Sequence, residues 1–261
     1  IRRQRQMCIR DSARMGTYTA VFTRSFKLAI IATLIALLIG YPVSYMLSKE
    51  GPQVQRIAMV LIMLPMWMNF LLRTYSWMSI LENNGLLNQL FQQIGLIDLY
   101  NQIAMHFASD PAAYVPIDHF QMIGTQGAVV LGMVYNYLPF MILPIYSVLV
   151  KLDHSLIEAA RDLGASSVQV FRKVILPLSL PGVLSGITMV FVPSVSTFAI
   201  SRLLGGGTQM MLGDLIEQQF LGGAYNPQLG AAIALVMMAI VVVCMLVMNR
   251  FGDGEEQAVM L

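Results

Sequence analysis

The most regular spacing of functional residue types lies in one polar loop between two apolar stretches. Glu158-Ala159-Ala160 is followed after three residues by Gly164, and after nine more by Val174-Ile175-Leu176-Pro177. These residue types predict a short helix that a glycine ends. A two-turn helix is too short to be stable alone in water, so this one must pack on its own bundle or on a partner. The chemistry available to this loop is therefore that of packing and docking.

A polar pair predicts where this short helix begins. Ser155 followed by Glu158 three positions later is the pattern of a capping box, so the helix should begin near Leu156. Its inward face is predicted to be an apolar stripe. The members of that stripe are Leu156, Ile157, Ala160 and Leu163.

Glycine, serine and proline predict how the rest of the loop folds. Gly164 stands where a C-terminal glycine is preferred, so the first helix should end there. Ser166 or Ser167 can cap a second helix. Pro177 and Pro181 are then expected to break the chain before the next apolar stretch.

No set of residues in the sequence matches a catalytic or metal-binding pattern. The phosphate loop G-x-x-x-x-G-K-[ST] is absent, and the glycine run 205–207 is followed by Thr208 and Gln209 where a lysine would be needed. Three histidines lack the spacing of metal ligands: His106, His119 and His154. The sequence therefore predicts no catalytic residues, no metal and no cofactor held by this chain.

The composition is that of a membrane protein. Of the 261 residues, 57% are hydrophobic and 11% are charged, whereas a soluble domain carries about 25% charged residues. The net charge of +2 is too balanced to indicate a nucleic-acid partner. Apolar residues show no strict alternation, so we predict an all-α, polytopic bundle of transmembrane helices. Five stretches are suitable spans: 28–48, 57–81, 128–150, 183–201 and 229–248.

Lysine and arginine predict which loops face the cytoplasm. Loop 151–182 holds two of each, and the loop between the first two spans holds Lys49 and Arg56. Both loops are therefore placed in the cytoplasm, and segments 82–127 and 202–228 are placed outside. The outer segments contain six acids, which predict an anionic mouth that attracts cations unless they only reflect the topology rule. These acids are Glu82, Asp98, Asp110, Asp118, Asp214 and Glu217.

The N-terminal residues raise two expectations. Five spans with a cytoplasmic C-terminus place the basic residues Arg24 and Lys27 outside, against the usual charge rule. A preceding sixth span in the full protein would put both ends in the cytoplasm. The string QMCIRDS at 6–12 resembles translated sequencing-adapter sequence, so residues 1–12 are expected to be a foreign leader. Residues 13–261 would then form a single transmembrane domain.

Loop 151–182 resembles the EAA loop of type I ABC importer permeases. The family pattern is Glu-Ala-Ala, three residues, Gly, nine residues and Ile-any-Leu-Pro, and only Val174 departs from it here. The resemblance implies the permease fold of that family, with this loop seated on a separate cytoplasmic ATPase. It also implies that this chain is a transport subunit and not an enzyme.

The resemblance assigns roles to particular residues of the loop. Glu158 would cap and orient the helix, and Gly164 would make the turn. Ala159 and Ala160 would permit close approach to the ATPase. A bulky or charged residue at Gly164 is then expected to uncouple transport, through loss of the left-handed turn.

Further stretches resemble the spermidine/putrescine branch of these permeases. They are 72–77 with 81–88, and 204–207 with 213–220. The long outer segment 92–122 resembles the B-type member of the two permeases that pair in that branch. The resemblance covers about residues 17–250. It implies a bacterial inner membrane protein that works with an ATPase dimer binding ATP and Mg, a second homologous permease and an extracytoplasmic polyamine-binding protein.

A polycation that crosses a bundle needs acids or aromatic faces along its path, because an isolated buried charge is costly. Aromatic rings attract cations through their faces, although an interfacial belt or bundle packing would use the same residues. The candidate aromatic residues are Trp67, Tyr75, Trp77 and Tyr135. The candidate acids are Glu82, Asp214 and Glu217.

Two alternative functions stay open at this point. The same kind of importer could carry ferric iron, thiosulfate or another small solute, although acidic outer loops argue against anions. An ATP-independent channel or secondary transporter would have no ATPase partner and no purpose for the EAA-like loop.

Overall fold

A computed structural model describes the backbone of residues 2–107, 116–222 and 225–259, and the side chains of 18–106, 116–153, 155–222 and 225–246. Over these residues the regular secondary structure is helical, as the sequence predicted, and no strand occurs among them. Asp110 and the side chains of the expected leader 1–12 lie outside the described residues.

The helices follow one another through short connections. In chain order they are α1 Arg2–Lys49, α2 Pro52–Trp67, α3 Phe70–Leu81, α4 Leu86–Gln93, α5 Leu96–Phe107, α6 Gln126–Leu149, α7 His154–Asp162, α8 Ser167–Val170, α9 Leu176–Ser196, α10 Ala199–Leu204, α11 Leu212–Leu221 and α12 Pro227–Val259. A π-helical turn, Phe171–Ile175, joins α8 to α9 without a break.

Four helices in the described ranges are long and apolar enough to cross a membrane, and a bent pair supplies a fifth crossing if it counts as one span. The four are Tyr18–Lys49, Gln126–Leu149, Ser167–Ser196 and Pro227–Leu246. The prediction of a polytopic helical bundle is therefore confirmed. The third and fifth predicted spans agree within two residues, the first span begins ten residues earlier than predicted, and the second and fourth spans differ more.

The second predicted span, 57–81, is wrong as one continuous helix. α2 ends at Trp67, and the chain bends by 90° before α3 continues. Asn69 caps α3, since its side-chain oxygen accepts a hydrogen bond from the Leu71 N–H at 2.8 Å. Pro65, near the end of α2, has no N–H to donate to the helix ladder.

The fourth predicted span, 183–201, is also wrong, because the helix begins and ends earlier. It runs over Ser167–Ser196, and neither Pro177 nor Pro181 breaks it. Pro177 follows closely on the π-helical turn, whose wider backbone accommodates a residue without an N–H. Thr197 is extended, so the residues after it form the separate helix α10.

The centre of the bundle is the close packing of α1, α6 and α9. Gly182 and Gly186 lie one turn apart on α9 and face α6. A Cβ on Gly182 would lie 2.8 Å from the Pro144 carbonyl oxygen, and a Cβ on Gly186 would lie 2.8 Å from the Met141 sulfur. Small residues thus let two membrane helices approach each other closely.

Helix α1 connects the two ends of the bundle, and its contacts define two faces. Near its C-terminus the Tyr45 ring packs on Phe171, with the centroids 5.4 Å apart, so this end lies on the face of loop 151–182, the coupling face. In the N-terminal half of α1, Arg24 Nη1 donates a hydrogen bond to the Thr208 carbonyl at 3.3 Å. Arg24 therefore lies at the face of the bundle opposite to loop 151–182.

Candidate functional site

The first helix of the loop, α7, begins with a different cap from the predicted one. Asp153 is the capping residue, and its Oδ1 accepts a hydrogen bond from the Ser155 N–H at 2.9 Å. The capping box of Ser155 and Glu158 is therefore wrong. Aspartate and serine cap equally well, so the earlier residue took the position and moved the helix start to His154.

The end of α7 is as predicted. Gly164 has φ +81°, in the left-handed region that glycine enters without strain. Its N–H donates to the Arg161 carbonyl at 2.8 Å, and the Ala165 N–H donates back to the Ala160 carbonyl at 3.1 Å. These bonds satisfy carbonyl groups that the end of the helix would otherwise leave free.

Ser166 caps the second helix of the loop, which confirms one of the two predicted candidates. Its hydroxyl accepts from the Gln169 N–H at 3.4 Å, and the Gln169 side-chain oxygen accepts from the Ser166 N–H at 2.8 Å. This reciprocal pair is a capping box. The loop thus contains two short helices joined by a left-handed glycine turn.

The inward face of α7 is narrower than predicted. Ile157 and Ala160 pack against a buried cluster of the bundle, whereas Leu156 is 47% exposed and Leu163 is 89% exposed. Ala160 is on this inward face, as the apolar stripe predicted, and it is partly buried. Ala159 and Glu158 are exposed and stay available for a partner.

The turn after α8 ties the loop to the membrane helices. Phe171 packs edge-on against Tyr41 and Tyr45 of α1, with centroid distances of 5.9 and 5.4 Å. Ile175 is buried in the same cluster. The motif residues Val174, Leu176 and Pro177 lie at the junction of the π-helical turn with α9. A displacement of α7 and α8 would therefore reach both α1 and α9.

The four candidate aromatic residues do not form one group. Trp77 and Tyr135 are in contact, with their rings 5.3 Å apart and nearly perpendicular. Trp67 is 81% exposed and Tyr75 is 48% exposed. Glu82 is exposed at the C-terminal end of α3. Of this set the structure brings together only Trp77 and Tyr135.

The acids Asp214 and Glu217 lie on α11 and belong to one polar group at the opposite face. Ser201 donates a hydrogen bond to Asp214 Oδ2 at 2.6 Å, and the Met211 N–H donates to the same oxygen at 2.9 Å. Arg202 Nη1 pairs with Glu217 Oε1 at 2.7 Å. The predicted mouth therefore contains a base, and Arg202 neutralises one of its acids.

A pocket of about 240 Å³ opens between α10 and α11, and both acids line it. Burial raises the pKa of the Asp214 carboxyl above its ordinary value, and the hydrogen bonds from Ser201 and the Met211 N–H offset that rise only in part. Gln209 also lines the pocket, and its side-chain oxygen is buried without a hydrogen-bond partner. The pocket thus concentrates acceptor groups beside one buried carboxylate.

Three pocket residues were missed at the level of sequence: Ser201, Arg202 and Gln209. Arg202 stands at the edge of an apolar stretch and Gln209 follows a glycine run, so neither belonged to a recognisable motif. The available signal was the lone arginine beside an otherwise acidic outer segment, which predicts an ion pair with one of the acids.

The described residues thus form an apolar helical bundle with a helix–glycine–helix loop on one face and a polar pocket on the other. Residues 32–254 match the family described as "Binding-protein-dependent transport system inner membrane component". The chain belongs to that family, and it is a multi-pass protein of the bacterial inner membrane. As a permease subunit it is a transport protein and not an enzyme.

Two relatives cover most of this chain. The spermidine/putrescine transport system permease protein PotB of Haemophilus influenzae is 38% identical over 228 residues, which is 86% of this chain and 73% of the relative. PotB of Escherichia coli K12 is 36% identical over 233 residues, 89% of this chain and 78% of the relative.

A solved structure shares the fold. A bacterial ABC transporter involved in the import of the acidic polysaccharide alginate superposes with a TM-score of 0.66 at 16% identity, covering 89% of this chain and 79% of the other. This likeness establishes the type of bundle, in agreement with the permease fold that the EAA-like loop predicted.

Proposed function

We propose that this chain is a permease subunit of an ATP-driven ABC importer that carries spermidine and putrescine into the bacterial cell. The observation that supports the cargo is the identity of 38% and 36% to two PotB permeases over most of the chain. The fold alone is compatible with other solutes, since the alginate importer has the same type of bundle.

The importer needs partners that this chain does not contain. The sequence lacks a phosphate loop, so an ATPase dimer on the coupling face would bind ATP and Mg and hydrolyse the nucleotide. A second, homologous permease would complete the path through the membrane lipid. An extracytoplasmic polyamine-binding protein would deliver the cargo to the opposite face.

Coupling would run through α7 into the bundle. Glu158 and Ala159 are on the exposed side of α7 and would contact the ATPase, with Leu163 beside them. Ala160 contacts the bundle, so movement of α7 would push on the membrane helices. The edge-on contacts of Phe171 with Tyr41 and Tyr45 would carry that movement to α1.

Along the cargo path we assign the pocket acids and the aromatic pair to different steps. Asp214 and Glu217 would receive the cation at the opposite face. Trp77 and Tyr135, partly exposed and in ring contact, would offer π-faces to the ammonium groups further along. Trp67, Tyr75 and Glu82 are exposed and stay candidates for contacts with the second permease.

ATP hydrolysis in proteoliposomes tests the function. The full-length permease is reconstituted with its ATPase, its paired permease and its binding protein, which is empty or loaded with spermidine, putrescine or an anion. We expect hydrolysis to rise with either polyamine and to stay at the basal rate with the empty or anion-loaded protein.

Stimulation by another solute alone would keep the importer and discard the polyamine cargo. An intact complex whose ATPase activity no solute changes would contradict the coupling role of loop 151–182. Uptake that proceeds without the ATPase would favour a channel or a secondary transporter.

A further inference from the structure

Asp214 is a buried carboxylate whose described hydrogen bonds come from neutral groups. Its side chain lies in the pocket between α10 and α11 and the residue is 7% exposed. The Ser201 hydroxyl and the Met211 N–H both bond to Oδ2. A buried negative charge is costly unless a positive charge lies close to it. Oδ1 is left for a further donor.

Gln209 also lines this pocket, and it carries a second acceptor without a partner. Its Nε2 donates to the Gly124 carbonyl at 3.2 Å, which leaves the side-chain oxygen buried and without a partner. Buried polar atoms in proteins are almost always hydrogen-bonded, so an unpaired one calls for a missing donor. A primary ammonium group carries three donors and no acceptor. It matches both unused acceptors of this pocket.

A cation of the protein already occupies the rim of the pocket. Arg202 pairs with Glu217 at 2.7 Å, and its side chain is 65% exposed while that of Glu217 is 22% exposed. The formal charge of this group is therefore −1, from two acids and one base. An exposed arginine can leave its partner at little cost, because water solvates it well and surface ion pairs are weak.

We propose that this pocket is an ammonium-binding site in which Asp214 is the main ligand, Gln209 a second acceptor, and Arg202 the built-in cation that an entering ammonium group displaces from Glu217. The proposal rests on the proposed polyamine cargo and deepens it, since it names the group of the cargo that is recognised. A terminal ammonium would enter beside Asp214 and Gln209 and replace Arg202 as the donor to Glu217, and Arg202 would turn out to solvent.

The displacement explains why a base stands in an acidic mouth. With no cargo present, Arg202 holds Glu217 in place and limits the excess negative charge. A monovalent metal ion brings one charge and no directed donors, whereas an ammonium group satisfies several acceptors at once. Because a cation must displace Arg202 to bind, the site would bind an amine more tightly than a simple metal cation.

Direct binding of radiolabelled spermidine tests the site. The permease complex is placed in lipid nanodiscs without its binding protein, and saturable binding is measured for the wild type and two matched variants. Asp214→Asn removes the charge but keeps an acceptor for Ser201 and Met211, so the fold is retained. Asp118→Asn makes the same change at an exposed acid of the outer segment 82–127.

We expect Asp214→Asn to weaken spermidine binding about tenfold or more, since hydrogen bonds to charged groups are the strong ones, while Asp118→Asn binds like the wild type. Equal binding by the two variants would overturn the site. So would the absence of saturable binding to the wild-type complex. The proposed function would stand in either case if polyamine-loaded binding protein still stimulates ATP hydrolysis.

Arg202 variants separate the competing role from a structural one. Arg202→Gln removes the competing cation and is expected to tighten spermidine binding several-fold, while Arg202→Lys keeps the charge and stays near the wild type. A residue that only supported the fold would weaken binding when changed. Weaker or unchanged binding by Arg202→Gln therefore overturns the displacement by the ammonium group.

Discussion

Gly164 acts through its backbone conformation and not through its surroundings. Its φ is +81°, and a Cβ at this position would meet nothing within 4 Å. The cost of a substitution is therefore the cost of the left-handed conformation alone, on the order of 1–2 kcal/mol for an ordinary residue and less for asparagine. Aspartate shares the tolerance of asparagine, so we narrow the expectation from the sequence: a bulky residue at Gly164 should uncouple transport more than a charged one.

We predict that Gly164→Val lowers polyamine-stimulated ATP hydrolysis and that Gly164→Asn nearly retains it. Valine is β-branched and resists the left-handed region, so the turn between α7 and α8 would open and misplace α7. The measurement is stimulated hydrolysis in proteoliposomes, with co-purification of the ATPase as a check on assembly. Gly51→Val is the control, because Gly51 has φ −68° and open space around it. Equal rates for the valine and asparagine variants at 164 would contradict the role of the turn.

Helix α9 depends on two glycines that let it approach α6. A Cβ at Gly182 would lie 2.8 Å from the Pro144 carbonyl oxygen, and backbone atoms cannot move aside cheaply. We predict that Gly182→Val lowers the thermal unfolding temperature in detergent, since overpacking costs ~1–3 kcal/mol. Met189→Val is the matched control, because Met189 is on the same helix and is 53% exposed. Equal unfolding temperatures for the two variants would show that this contact is not close in the membrane protein.

Hydropathy predicted the helices well and their breaks poorly. An apolar stretch indicates that its residues are kept from water, but it does not indicate where the helix axis bends. The 90° bend between α2 and α3 is marked in the sequence by two single residues, Pro65 and the cap Asn69. Pro177 was predicted to break the chain and does not, because the π-helical turn before it accommodates the ring. The position of a helix end depends on such single contacts. At α7, for example, both Asp153 and Ser155 could cap the helix, and Asp153 does.

The two candidate sites differ in how far the sequence predicts them. The loop around Gly164 is built from contacts within a few residues, so spacing alone predicted its turn and one of its caps. The pocket depends on contacts between distant positions. Ser201 reaches Asp214 across 13 positions, and Gln209 reaches Gly124 across 85. Such pairings follow from the packing of the whole bundle and leave no periodic signal in the chain.

The two faces of the whole molecule carry different kinds of contact. The coupling face presents exposed apolar residues, with Leu163 89% exposed and Val168 73% exposed, which suit a protein partner. The opposite face presents acids with Arg202 and Arg24 among them. This division suits a subunit that receives a cation on one side and a mechanical signal on the other.

The arrangement of α1 gives the sharpest test of this orientation, because Arg24 and Lys27 lie at the opposite face against the usual charge rule. We predict that single cysteines at Thr23 and Leu221, in a background without Cys8 and Cys244, react with a membrane-impermeant maleimide in intact spheroplasts. Both residues are exposed. A cysteine at Leu163, on the coupling face, is expected to react only after the membrane is permeabilised.

Labelling after permeabilisation shows that each cysteine is reactive. A cysteine that reacts then but not in intact spheroplasts therefore lies on the cytoplasmic side. If Leu163→Cys reacts in intact spheroplasts, loop 151–182 is not cytoplasmic and cannot contact an ATPase. If Leu221→Cys reacts in intact cells but Thr23→Cys does not, the N-terminal half of α1 lies on the cytoplasmic side. The contact of Arg24 with Thr208 would then be wrong, because the two residues would lie on opposite sides of the membrane.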